Sequence, residues 1–183
     1  MASRVYPSGK VLALIINEIH FDAMGNEETF QDRQGAQEDE AALMDTLELY
    51  NIEVRTKRNQ TAMEIRQFIC EVSMELNTKC CPYAGLIVFV MSHGGQDNGQ
   101  DFIVGKDNNK VYTAEVIDPF HNENCLEMSG KPKCFLLNFC RGEPFNTNIK
   151  ITALDSGKTF TDPFFDEPPT ITDCVIENIE VGY

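Results

Sequence analysis

The 183-residue sequence has no Cys-x-x-Cys pair, no excess of positive charge, no apolar run of membrane-spanning length and no Gly-x-Gly-x-x-Gly turn. Each absence removes a class of function. Fifteen basic against twenty-nine acidic side chains leave a formal net charge of −14. Such a surface repels a phosphate backbone, and no basic cluster interrupts it, so nucleic acid is not an expected partner. The longest apolar stretches, residues 11–16 and 85–91, fall far short of the roughly 20 residues needed to cross a bilayer, and no membrane partner is expected. The first ten residues, MASRVYPSGK, lack the apolar core of a secretory signal, which predicts a cytoplasmic, reducing location with free thiols. The seven cysteines, at 70, 80, 81, 125, 134, 140 and 174, are odd in number and poorly spaced for zinc or a disulfide framework. A metal centre on His93 and Asp97 lacks a third ligand at suitable spacing, so no metal or cofactor is expected. Most of the cysteines are read as small core residues.

What is present is an alternation of strand and helix patterns within a length that needs only one domain. Residues 11–16 (VLALII), a strand starting at 52–54, 86–91 (LIVFVM) and 134–137 (CFLL) read as strands, the continuous apolar runs among them as strands covered on both faces. Between the first two lies a long polar segment, 18–34, and then a helix from Gly35 to about Tyr50 with Leu43, Met44, Leu47 and Tyr50 at helical spacing. Thr61-Ala62-Met63-Glu64 has the form of a capping box, followed by Ile65, Phe68, Ile69, Val72 and Leu76 on one helical face. Residues 102–104 and 110–112 flank a turn at Asp107-Asn108-Asn109, and 113–120 form a short helix. The fold class that follows is α/β, with a mostly parallel central sheet and helices on both faces. Residues 143–174 read as a flexible linker before a last strand, 175–181, within a closing segment 175–183.

Sheets of this kind place their sites at the carboxyl ends of strands. His93 ends one predicted strand and Cys140 ends another. A thiol with an unperturbed pKa of about 8.5 needs a base beside it to act as a nucleophile, and histidine is the usual supplier. Taken singly, a cysteine closing an apolar strand is most often a core residue. The pair with its glycines points instead to acyl transfer, because Gly94 after the histidine lets backbone N–H groups approach a developing oxyanion. The N–H groups of Gly94 and Cys140 are the candidate oxyanion hole.

Ser92-His93-Gly94 and Phe139-Cys140-Arg141-Gly142 resemble the two active-site signatures of caspases, whose known pattern is Q-A-C-[RQG]-G with the histidine about 50 residues upstream. Residues 12–21 (LALIINEIHF) resemble the family's first strand and the loop after it, and 129–133 (SGKPK) its approach to the catalytic strand. The resemblance covers residues 11–142, preceded by a short segment 1–10. It implies a three-layer αβα fold and a cysteine endopeptidase that cuts after aspartate in apoptosis-type signalling. It also implies that Arg33 grips the substrate aspartate with two charge-assisted bonds, and that the backbone carbonyl of Gln31 orients the histidine. No cofactor is implied. The partners implied are protein substrates with an aspartate before the cut, and a caspase small subunit or another caspase.

The sequence departs from the family in three places. Asn138 stands where the family has glutamine, which also contacts the substrate aspartate, and is one methylene shorter. Phe139 replaces a small alanine, so its ring must find space or displace a neighbour. The sequence stops about where the family's small subunit begins, so the fold is expected to be truncated there. Asp155-Ser156 is the expected processing site in the linker, the alternative being an ordinary acidic loop. Three functional readings follow: an active protease, an inactive homologue that acts as a decoy or regulator of a complete caspase, or a cleaved large subunit that needs a partner chain.

Overall fold

The computed structural model describes residues 9–22 and 30–139 in full, together with the backbone of strands at 150–153, 159–160 and 173–177. Cys140 and Asp155 lie outside the described residues. The elements are β1 (Lys10–Asn17), α1 (Ala36–Leu49), β2 (Glu53–Arg58), α2 (Ala62–Leu76), β3 (Tyr83–Met91), β4 (Gly94–Asp97), β5 (Gln100–Val104), β6 (Lys110–Tyr112), α3 (Thr113–Ile117), β7 (Lys133–Asn138), β8 (Lys150–Ala153), β9 (Thr159–Phe160) and β10 (Asp173–Glu177). Among the described residues they form a seven-stranded sheet in the order β2-β1-β3-β7-β10-β8-β9 and a small sheet β4-β5-β6. Pairing is parallel from β2 through β10, and antiparallel for β8 against β10 and β9. The main sheet is therefore mostly parallel, with helices on both faces, as the alternating pattern requires.

One face is dry. Leu12, Leu14 and Ile16 of β1 join Val88, Val90, Phe135 and Leu137 under Ile65, Ile69, Val72 and Leu76 of α2 in one buried cluster. Among the described residues, the opposite face, under α1, has a smaller apolar cluster of Ala13, Ile15, Leu47 and Met91, with Leu43, Ile52, Val54, Ile87 and Phe89 half-buried against them. This follows from α1's own sequence. Its inward stripe is Ala36, Glu40, Leu43 and Leu47, three of them buried, so a carboxylate takes a position where a helix of this kind normally carries an apolar side chain. Met44 and Tyr50, expected to face the core, are instead 37 % and 75 % exposed.

Helix α2 begins with the capping box read from the sequence: Thr61 Oγ1 accepts from the Glu64 N–H at 3.2 Å, and Thr61 N–H donates to the Glu64 carboxylate at 2.8 Å. Strand β4 (GGQD) has no apolar alternation from which a strand is predicted. It forms because β5 offers a free edge, pairing Gly94 with Ile103. Strands β8 and β9 and the start of β10 fall within 143–174, and β10 runs from Asp173 to Glu177. Of the five described cysteines only Cys125 is buried, while Cys70 and Cys80 are exposed. The expectation of mostly buried thiols fails because Cys70 falls outside the Ile65/Phe68/Ile69/Val72/Leu76 face of α2 and Cys80 lies in the loop before β3.

Candidate functional site

Parallel register brings three strand ends side by side. Asn17 of β1 stands opposite Met91 of β3, and Met91 opposite Asn138 of β7. His93 follows Met91 by two residues, and Cys140 follows Asn138 by two. The exit from β3 is pinned on both sides: Ser92 N–H donates to Asn138 O at 3.2 Å, Ser92 Oγ donates to Val104 O at 2.7 Å, and Val104 N–H donates to His93 O at 3.0 Å.

The imidazole of His93 is held by the loop between β1 and α1. Its Nε2 lies 2.7 Å from the Gln31 carbonyl oxygen. A carbonyl can only accept, so Nε2 carries the hydrogen and, in the neutral ring, Nδ1 keeps its lone pair as the basic atom. Phe30 stacks on the ring at 5.2 Å between centroids and 22° between planes, and Phe21 leans on it at 5.0 Å and 47°. The loop carrying these groups is tied by Asp32, which accepts from Phe21 N–H at 3.2 Å and pairs with His20 Nδ1 at 2.8 Å. The His20 contact holds the Asp32 carboxyl below the usual range. Nothing in the sequence marks Phe21, Phe30 and Asp32 beyond their position in the polar loop between the first predicted strand and helix.

Gly94 is required by its neighbours. A Cβ at this position would stand 2.2 Å from the Phe102 carbonyl oxygen and 2.6 Å from the Phe139 ring. Phe139 thus turns inward, is 5 % exposed, and belongs to the dry core cluster. The ring that replaces the family's alanine finds its space over a glycine. Asn138, at the end of β7, is exposed.

Arg33 is half-buried between β1 and α1. Its backbone N–H donates to Ile19 O at 2.9 Å, and its Nη1 donates to Asn17 Oδ1 at 2.9 Å and to Glu18 O at 3.1 Å. Beside it, the Glu18 side chain is fully buried and neither carboxylate oxygen has a hydrogen-bond partner. Burial pushes its pKa from the ordinary 4.5 up to about 7; the Gln60 backbone N–H and Lys106 favour the charged form, while Asp107 and Glu64 oppose it. Among the described residues no three His, Cys, Asp or Glu side chains stand together as a metal site, and no helix is long and apolar enough to cross a membrane.

An αβα sheet with a histidine held at the carboxyl end of a central strand defines the class of site. The family model for the caspase domain matches residues 10–176, and the chain belongs to that family of cysteine proteases. It is 27 % identical to human (Homo sapiens) caspase-14 over 111 residues, 61 % of this chain and 44 % of that one. It is 30 % identical to caspase-3 of Bos taurus over 147 residues, 80 % of this chain and 48 % of the relative. The chain thus spans about half the length of the curated relatives it matches.

Proposed function

We propose that the chain is a caspase-type cysteine endopeptidase that cleaves after aspartate, acting in the cytoplasm in apoptosis-type proteolytic signalling together with a caspase small subunit. The observation that carries the reading is the 2.7 Å contact of His93 Nε2 with the Gln31 carbonyl, which leaves Nδ1 as the proton acceptor. In the reaction, Cys140 gives its thiol proton to His93 and the sulfur attacks the backbone carbonyl carbon of the substrate aspartate. The N–H groups of Gly94 and Cys140 hold the oxyanion. As the C–N bond breaks, His93 passes its proton to the leaving amine, and water then hydrolyses the thioester and regenerates the thiol. Arg33 and the Asn138 amide bind the aspartate carboxylate, and Asp155 is the site at which the chain itself is processed.

The test is hydrolysis of a fluorogenic peptide ending in Asp, by the chain alone and with a caspase small subunit added. Cys140→Ala and His93→Ala are each expected to reduce turnover by at least about 10³-fold. The shorter amide of Asn138 favours a second reading, an inactive homologue that regulates a complete caspase. If neither preparation cleaves and the chain suppresses a complete caspase in the same assay, that second reading replaces the first.

A further inference from the structure

We infer that Glu40 is a positioning residue for Arg33, acting through the buried amide of Asn17. The inference rests on the reading of Arg33 as an aspartate-binding residue and adds what sets its geometry. Asn17 is fully buried at the end of β1. Its Nδ2 donates to Ala36 O at 2.9 Å and to Glu40 Oε2 at 2.8 Å, while its Oδ1 accepts from Arg33 Nη1 at 2.9 Å. Both amide hydrogens and the amide oxygen are therefore committed. Rotating the amide by 180° would set its oxygen against a carbonyl and a carboxylate, and its NH2 against a guanidinium, so only one orientation is open to it.

Glu40 enforces that orientation. Its side chain is only 1 % exposed, and a carboxylate buried to that degree needs polar partners. Arg58, on the end of β2 and in register with Asn17, supplies them: its Nε stands 2.8 and 3.0 Å from the two carboxylate oxygens and its Nη2 stands 2.7 Å from Oε1. The result is an ordered chain from Arg58 to Glu40 to Asn17 to Arg33. Glu40 lies on α1 and does not itself reach the Arg33 guanidinium through any of these bonds. It fixes which atom of Asn17 faces that cation, and so where the guanidinium is held. A structural ion pair alone would stabilise the fold without affecting how the protein distinguishes a carboxylate from an amide.

That distinction gives the experiment. Fluorescence polarisation of two labelled tetrapeptides, one ending in Asp and one in Asn, measures carboxylate preference without turnover or the Cys140 thiol. Arg33→Ala is the control and should abolish the preference. Glu40→Met, of similar length and suited to a buried site, should reduce it about tenfold, the loss expected when a charge-assisted bond is misplaced. Asn17→Ser, which breaks the same chain at its middle link, should do likewise should the Met variant not fold. Glu40→Gln keeps an acceptor oxygen for Asn17 and should stay within about threefold of the unaltered chain. Thermal melts on every variant identify unfolded protein. If Arg33→Ala removes the preference while Glu40→Met and Asn17→Ser keep it, the inference fails and the reading of Arg33 stands. Equal losses in the Gln and Met variants would assign the effect to charge, which also overturns it. If the unaltered chain shows no preference, or Arg33→Ala retains it, the reading of Arg33 falls first.

Discussion

Asn17 and Glu18 are neighbours at the end of β1, yet they face environments that handle a buried carboxylate in opposite ways. On the α1 side, Glu40 is buried with a guanidinium and an amide donating to it. On the side of the α2 N-terminus, Glu18 is equally buried with no hydrogen-bond partner. The contrast extends along the sheet, since the α2 face is a continuous apolar core and the α1 face is small and partly open. At the margin of the α2 face, desolvation of Glu18 outweighs the help of the Gln60 backbone N–H and Lys106, so the carboxyl holds its proton to a higher pH than an exposed glutamate. On the α1 face, arginine and asparagine side chains surround the carboxylate, which serves to orient the amide.

The difference between the faces is tested most strongly by two phenylalanines. Phe135 lies in the α2-side cluster, fully buried and 6.0 Å from the Phe120 ring, and Phe135→Ala should cost about 3–5 kcal/mol. Phe89 is half-buried under α1, and because the cost scales with the apolar area removed, Phe89→Ala should cost about half as much. Urea denaturation of both variants measures this. Equal losses would mean that the two faces contribute alike.

The core of the dry face was legible from the sequence because its signals are local and periodic. The runs 86–91 and 134–137 and the 65/68/69/72/76 stripe of α2 are patterns that a strand and a helix must bury. The same logic puts His93 at a strand end, and the family resemblance implies its contact with the Gln31 carbonyl. What sequence could not show depends on tertiary partners. Glu40 reads as a surface residue until Arg58, eighteen positions away, closes on it. Phe139 reads as an obstruction near the nucleophile until Gly94, on another strand, opens room for its ring. Strand β4 has no side-chain pattern of its own and exists because β5 is beside it.

Glu18 sharpens the comparison through pH. Its folded pKa of about 7 stands above the ordinary 4.5 of an exposed glutamate, so between these values the folded chain binds more protons than the unfolded one. Stability is therefore highest below about pH 4.5 as far as this group is concerned, falls as pH rises, and reaches its full loss above about pH 7. The displacement corresponds to a penalty on the order of 3 kcal/mol at pH 8. Glu18→Gln removes the charge without changing the shape, and should stabilise the chain at pH 8 by up to roughly that amount while changing little at pH 4.5. Melting curves of the two proteins across this range should converge at acid pH. A constant offset between them would show that Glu18 ionises freely in the folded chain.

The smallest effect separates the two helices at their first turns. Helix α1 starts at Gly35, in a left-handed conformation at φ 81° with no side-chain cap, and is held by its contacts with the sheet. Helix α2 starts with the reciprocal Thr61 and Glu64 bonds, which satisfy N–H groups that would otherwise lack helical partners. Thr61→Ala should therefore cost about 1 kcal/mol. The bond also holds the Glu64 carboxyl below its usual range, so the folded chain favours the ionised form. This contribution is present above the unfolded pKa and is lost as pH falls through the folded one. The Thr61→Ala penalty should shrink on acidification, opposite in direction to the gain in stability from protonating Glu18. A penalty that stays constant to low pH would mean that the Thr61 hydroxyl acts alone, without the reciprocal carboxylate, and that α2 is held by its apolar face as α1 is by the sheet.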